Sequence, residues 1–246
     1  MTSDILEAKK LIDRLRAADP EFLVFGARSH RYEIGPPLSE PELSSFEERY
    51  GITLPEDFRL YLSLVGNGNE SKPGPRATPH RTAGAGPGYG IHTLSETVIG
   101  DQTCVPFPYS QEVEVPIDEA GDDVPGALEI CTLGCGSHVN LIVAGSEFGK
   151  VWKGNEYLHF SPTHLNFASW ITEWAEGALS LLAKRELVQK LSLGMTKAQV
   201  VDVIGGEWTV RKSGRWWFFE GPTIPARIAL SEENGVVSSI DPWPFI

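Results

Sequence analysis

The residues best suited to chemistry in this sequence are its three cysteines and their neighbouring histidines. Cys131, Cys135 and His138 follow the spacing Cys-x3-Cys-x2-His, and Cys104 and His92 lie near them in the sequence. Thiolates and imidazoles are zinc ligands, but structural zinc sites use paired close spacings with a turn between the ligands. Cys131 falls within a predicted strand and Cys135 in the turn after it. The pattern therefore favours ordinary strand and turn residues, and we predict no metal and no cofactor.

Catalytic motifs are not visible. The sequence has no Gly-x-Ser-x-Gly elbow, no Walker loop and no His-Glu-x-x-His. Four carboxylates near predicted helix ends are explained by capping and by the helix dipole. We therefore predict a protein that is not an enzyme and has no catalytic residues. The four carboxylates are those of Glu47, Glu48, Glu56 and Asp57.

The clearest binding signal is an acidic stretch without cations. The 246 residues carry a formal net charge of -12, which argues against sequence-independent binding to the phosphates of nucleic acid. Residues 82–149 contain no Lys or Arg but ten acidic residues, six of them within 112–123. This stretch is either a solvated loop or a docking face for a basic partner. The second alternative predicts six partner-binding residues: Glu112, Glu114, Asp118, Glu119, Asp122 and Asp123.

Targeting signals are also missing from the sequence. The first ten residues mix acidic and basic side chains and lack the apolar stretch of a signal peptide. No apolar run approaches the roughly 18 residues of a membrane-spanning helix. Three cysteines do not form a disulfide framework, which is typical of a reducing compartment. We therefore expect a cytoplasmic protein without a membrane partner.

The elements that must position these residues begin with three amphipathic helices. Residues 4–18 have helical apolar spacing after Ser3, a suitable N-cap. Segments 39–42 and 53–56 each combine a hydroxyl N-cap, Ser39 or Thr53, with a proline and then a Glu that closes a capping box. The apolar stripes expected after these caps are Leu43, Phe46 and Tyr50 in the first helix, and Phe58, Tyr61, Leu62 and Val65 in the second.

The middle of the chain changes to a strand pattern. Eleven of the 25 residues from Gly66 to Gly90 are Gly or Pro, which predicts a long surface loop. Short apolar runs at 128–133, 139–143 and 149–152 predict an antiparallel meander. A helix capped by Asn166 follows, and Trp170 and Trp174 lie on its apolar face, where we expect them to be structural.

The last part of the chain predicts a separate small module. Thr196 can cap a helix over residues 197–204, which Gly205-Gly206 would end. Strand-like runs follow at 208–210, 215–219, 227–230 and 236–240, with a hairpin at Asn234-Gly235. Trp216 and Trp217 are adjacent in one strand and point to opposite faces, so one of them is either exposed or covered by the other domain. We favour the second alternative, a seam between the domains.

Residues 38–62, followed by Gly66-Asn67-Gly68, resemble the SUKH superfamily, which groups the yeast Smi/Knr cell-wall regulators with bacterial toxin-immunity proteins. Segments 89–94, 133–136, 149–152 and 167–174 are similar to later strands and the closing helix of its bacterial branch. The resemblance covers roughly residues 5–183 and implies an α+β domain, helices packed on an antiparallel sheet, with an insertion near 66–90. The residues that carry the motif are Phe46-Glu47, Gly51, Leu54-Pro55, Phe58, Tyr61-Leu62 and Asn67-Gly68.

The tail, 184–246, resembles a different family. Residues 193–205, followed by aromatic strands and an Asn-Gly hairpin, are similar to the small module of the outer-membrane assembly subunit BamE. That lipoprotein needs an exported, lipidated cysteine, which this sequence does not supply. The resemblance therefore implies a fold and no membrane role.

The first resemblance implies a cytoplasmic immunity protein that binds and neutralises a cognate bacterial toxin with a basic, nucleic-acid-acting site. An acidic face suits such a partner, because it speeds association and competes with phosphate for the same cations. The alternative is a non-catalytic regulatory scaffold of the yeast type. A hydrolase or metal enzyme is a third class, supported only by the Cys/His cluster.

Overall fold

The protein is described by a computed structural model, in which helices precede and follow an antiparallel sheet. The chain forms two compact units, Met1–Ala175 and Glu176–Ile246. Within the described residues, no helix is long and apolar enough to cross a membrane. The described residues are 1–68, 83–95, 97, 100–115, 124–204, 209–213, 216–220, 226–231 and 236–242.

The first helix, α1 (Thr2–Ala18), has the predicted apolar face but begins earlier than predicted. Its N-cap is Met1 rather than Ser3. The Met1 carbonyl already accepts hydrogen bonds from the Asp4 and Ile5 amides, at 3.1 and 3.2 Å, so the helical ladder starts there. The buried residues of this face are Ile5, Ala8, Leu11, Ile12 and Leu15.

A one-turn helix, α2 (Ala27–His30), leads to α3 (Glu40–Tyr50) and α4 (Glu56–Leu64). The capping box predicted for α3 is confirmed, because the Ser39 amide donates to Glu42 Oε2 at 2.7 Å. The cap predicted for α4 is wrong: its N-cap is Pro55 rather than Thr53. A carboxylate from the preceding helix holds this turn instead, since the Leu54 amide donates to Glu47 Oε1 at 2.8 Å.

The two predicted apolar stripes have different outcomes. On α4 the stripe is buried, as predicted. On α3 only Leu43 is buried, whereas Phe46 and Tyr50 are half-buried and line an open groove. The apolar stripe of α3 therefore exists as predicted, but its two aromatic residues lie beside the groove and not in the core.

The sheet of the first unit has five strands in the order β1-β5-β4-β3-β2, and all pairs are antiparallel. This confirms the α+β class and the predicted central meander. Strands β1 and β5 were not predicted, because β1 is two residues long and β5 contains Pro162 among polar residues. The strands are β1 (Val113–Glu114), β2 (Ala127–Gly134), β3 (Ser137–Ile142), β4 (Lys150–Gly154) and β5 (His159–Asn166).

The pairing of β3 with β4 shows which residues share a face of this sheet. Val139 pairs with Lys153 and Asn140 with Trp152, so Val139 and Trp152 point to opposite faces. A buried cluster covers the Trp152 face, where the Phe107 and Trp152 ring centroids are 4.9 Å apart. The buried members of the cluster are Phe107, Ala127, Ile142, Trp152 and Phe160.

The prediction of a surface loop is wrong for residues 83–90, the later part of that segment that the structure describes. Nearly all of these residues are buried. Gly84 bridges Ile91, and the Tyr89 amide donates to the Thr132 carbonyl at 3.0 Å. Small residues permit this close packing: a Cβ at Gly26, where φ is +80°, would lie 1.6 Å from the Gly88 carbonyl oxygen. Residues 69–82 of the predicted loop lie outside the described residues.

The second unit includes the end of α5 (Phe167–Gln189), the helix α6 (Lys197–Ile204) and a four-stranded antiparallel meander. The predicted cap of α6 is confirmed, since the Gln199 amide donates to Thr196 Oγ1 at 3.4 Å and the Thr196 amide donates to Gln199 Oε1 at 2.8 Å. The predicted stop at 205–206 and turn at 234–235 lie outside the described residues, and the domain seam at Trp216-Trp217 stays a prediction. The meander strands are β6 (Thr209–Ser213), β7 (Trp216–Glu220), β8 (Ala226–Ser231) and β9 (Val236–Pro242).

Candidate partner-binding site

The acidic stretch enters the sheet as its outermost strand. In β1, Val113 pairs with Phe160 and Glu114 with His159. Val113 packs against the cluster around Trp152, whereas Glu114 is exposed. The apolar residue therefore fixes the strand while the neighbouring acid remains available to solvent.

Glu112 is held by a residue that sequence analysis did not identify. Its Oε1 lies 2.8 Å from Nε2 of His159, while the Glu112 side chain remains 66% exposed. His159 comes from β5, so only the strand pairing could have revealed the contact. The absence of Lys and Arg from the acidic stretch therefore does not leave every acid without a basic neighbour.

The structure places two of the six predicted binding residues on one edge of the sheet. The other four, Asp118, Glu119, Asp122 and Asp123, lie outside the described residues. A binding role for the six together stays a prediction.

A groove of about 500 Å³ lies farther along β5. Ser161 and Thr163 line one wall, and Trp170 and Trp174 of α5 line another. Trp170 is buried, with 7% of its surface exposed, as expected of a structural residue. Trp174 is only half-buried, so its position is at the wall of the groove rather than in the core.

The predicted capping role of the acidic residues near helix ends holds in a modified form for Asp57. This buried carboxylate accepts the Phe58 amide at 2.9 Å and, from a distant part of the chain, the Ala168 amide at 3.0 Å. Asp57 therefore caps the first turn of α5 together with Asn166, whose Oδ1 accepts the Ser169 amide at 2.9 Å. These contacts give the carboxylate a structural role.

The Cys/His pattern does not converge in space. Cys131 is buried and its thiol donates to the Pro87 carbonyl at 3.0 Å, and burial raises the pKa of that thiol well above its ordinary value. Cys135 is exposed in a turn. His138 pairs with Thr132 and therefore faces away from Cys131. Within the described ranges, no group of three or more His, Cys, Asp or Glu residues could hold a metal ion.

A second polar group, buried near α2, is also structural. Asp19 accepts the Tyr32 hydroxyl at 2.6 Å and the Leu23 and Val24 amides at 2.7 and 3.0 Å. Nδ1 of His30 accepts the Tyr32 amide at 3.0 Å. Burial lowers the pKa of His30 to about 4, so the ring is neutral near pH 7.

One protein family matches the part of the chain that contains α3, α4 and the five-stranded sheet. A family model described as SMI1 / KNR4 family (SUKH-1) matches residues 37–173, which is more than half of the sequence. The matched range starts before α3 and includes all five strands of the first sheet. It ends before residue 184, and nothing supports the resemblance of the tail to BamE. No curated protein matches the chain. The match to more than half of the sequence shows that the chain belongs to the SMI1 / KNR4 family (SUKH-1).

Proposed function

We propose that this protein is an immunity protein that binds and neutralises a cognate bacterial toxin without catalysing a reaction itself. The acidic stretch from Glu112 to Asp123 contacts a basic cleft of the toxin, of the kind used to hold nucleic acid. Its proposed contact residues are Glu112, Glu114, Asp118, Glu119, Asp122 and Asp123.

The observation that supports this proposal is the construction of β1. A strand anchored by Val113 presents Glu114 at the outside of a sheet, with the exposed Glu112 directly before it. Carboxylates held on a rigid edge attract a basic surface over a distance of about 10 Å at moderate salt. The family provides independent support, since its bacterial branch includes immunity proteins.

The proposal predicts that a toxin gene lies next to the gene of this protein, and the purified toxin provides the test. Reversing the charge of all six acids should slow association and flatten its dependence on salt, measured by surface plasmon resonance at several salt concentrations. The double variant Glu112→Lys/Glu114→Lys should show part of the effect. Its matched control reverses Glu21 and Glu48, which are also exposed but lie outside the acidic stretch. An unchanged association rate after reversal of all six charges would show that the acidic stretch is not the binding site.

A regulatory scaffold of the yeast type is the alternative from the same family. Co-purification separates the two functions, because an immunity protein retains one tightly bound basic partner and a scaffold retains several weaker ones. We further propose that the protein acts in the bacterial cytoplasm. Residues 1–183 would form the partner-binding domain, and 184–246 a separate module.

A further inference from the structure

The face of α3 that does not enter the core forms one wall of a second groove, of about 620 Å³. Phe46 and Tyr50 are one helical turn apart on this wall, with ring centroids 5.0 Å apart. Leu38 and Leu94 also line the groove, so apolar and polar side chains share its surface. Aromatic residues that remain partly exposed in a groove are typical of recognition surfaces.

The cation of this groove is held in place but not neutralised. The guanidinium of Arg49 lies 5.4 Å from the centre of the Tyr50 ring, a cation-π contact that orients it. Arg49 is exposed, and no carboxylate of the described residues forms an ion pair with it. Its planar set of donors therefore remains available to a ligand.

A second donor lies in the same groove. The side-chain oxygen of Asn67 accepts the Leu94 amide at 2.7 Å. Because an amide N–H can donate only to the oxygen, this bond fixes the orientation of the carboxamide and leaves Nδ2 as a donor. Asn67 lines the groove, and within the described part of the chain Nδ2 has no acceptor.

The acidic residue of the groove, Glu42, is already engaged. Its Oε2 accepts the Ser39 amide at 2.7 Å and the Ser39 hydroxyl at 2.6 Å. Glu42 therefore serves the capping box of α3 and does not pair with Arg49. The groove thus combines apolar walls with two N–H donor groups, one of them positively charged.

We propose that this groove binds an acidic peptide segment, in which an Asp or Glu side chain lies next to an aromatic or aliphatic residue. The carboxylate accepts from Arg49 and from Nδ2 of Asn67, and the apolar neighbour packs against Phe46 and Tyr50. Charge complementarity separates this surface from the β1 edge, which suits a basic partner. The inference does not depend on the proposed toxin.

The probe is the blocked tripeptide acetyl-Phe-Glu-Phe-amide, compared with its glutamine analogue. Each is titrated into the full-length protein and followed by amide and side-chain NMR signals. A charge-assisted hydrogen bond predicts that the Glu peptide binds about tenfold more tightly than the Gln peptide. The side-chain amide signals of Asn67 should shift with the Glu peptide.

Arg49→Gln should abolish this preference without unfolding the protein, because the side chain is exposed. Arg28→Gln is the matched control, since Arg28 is also exposed but lies on α2. Equal binding of the two peptides, or no binding of either, would overturn the proposal. Self-association that Arg49→Gln abolishes, without peptide binding, would also overturn it and assign the groove to a second copy of the chain.

Discussion

Helix α4 buries its aromatic face, whereas helix α3 leaves most of its own in a groove. On α4, Phe58 and Tyr61 are fully buried, and both rings contact Phe167 of α5, with centroids 4.8 and 5.0 Å away. On α3, Phe46 and Tyr50 contact each other and remain half-buried. The two helices therefore use the same residue types for different purposes.

One capping carboxylate from each helix shows a similar difference. The Asp57 carboxylate of α4 is buried and caps a different helix, α5. Glu42 of α3 is exposed and caps only its own helix. The Asp57 cap therefore supports a second helix and the Glu42 cap only α3, although another acid of α3, Glu47, also holds the start of α4.

The largest expected effect is the loss of an aromatic ring from α4. Phe58→Ala should lower the free energy of unfolding by about 3–5 kcal/mol, because it removes a fully buried ring and leaves a cavity beside Phe167. Phe46→Ala should cost less, about 1 kcal/mol, since that ring is only partly buried. Urea denaturation of the two variants measures the difference. Equal losses would mean that the α3 stripe belongs to the core after all.

The next largest effect on stability comes from His30, a buried histidine of α2. His30 lies beside Trp174, with ring centroids 6.4 Å apart, and burial lowers its pKa to about 4. Between this value and the ordinary pKa of about 6.5, the unfolded chain binds the proton and the folded chain does not. Stability due to the neutral ring is therefore complete above pH 6.5. It should decrease by about 2–3 kcal/mol as the pH falls to 4.5.

Urea denaturation at pH 7.5 and at pH 4.5 measures the effect. His30→Gln should remove the His30 part of the pH dependence, although it also lowers stability at neutral pH. The control is His164→Gln, which replaces an exposed histidine. If His30→Gln lost as much unfolding free energy between pH 7.5 and pH 4.5 as the unchanged protein, the assignment to His30 would be wrong.

Local patterns in the sequence were sufficient for the elements that depend on their own residues. The spacing of apolar residues predicted α1, and a capping box within four residues predicted the start of α3. The start of α4 was assigned wrongly because its turn is held by Glu47, which belongs to another helix. Strand β5 was missed for a related reason: a strand rich in polar residues is recognisable only through its partners.

The candidate sites were harder to predict than the elements that contain them. Helical spacing placed Leu43, Phe46 and Tyr50 on one face, but it carries no information on what covers that face. Three of the features that matter are contacts between segments distant in the chain. These are the pairing of Glu112 with His159, the burial of residues 83–90 and the groove beside Arg49.

The smallest expected effect on stability is the loss of a capping carboxylate, Asp57 or Glu42. Asp57→Ala should lower the free energy of unfolding by about 1–2 kcal/mol, because the Ala168 amide at the start of α5 loses its acceptor. Asp57→Asn should cost less, since the carboxamide retains an oxygen that can accept the same bond. Glu42→Gln should have a smaller effect than Asp57→Ala, because water can replace its contacts with Ser39 at the surface. Thermal melting of the three variants ranks them, and a Glu42→Gln shift equal to that of Asp57→Ala would show that α3 contributes as much as α4 to the stability of the unit.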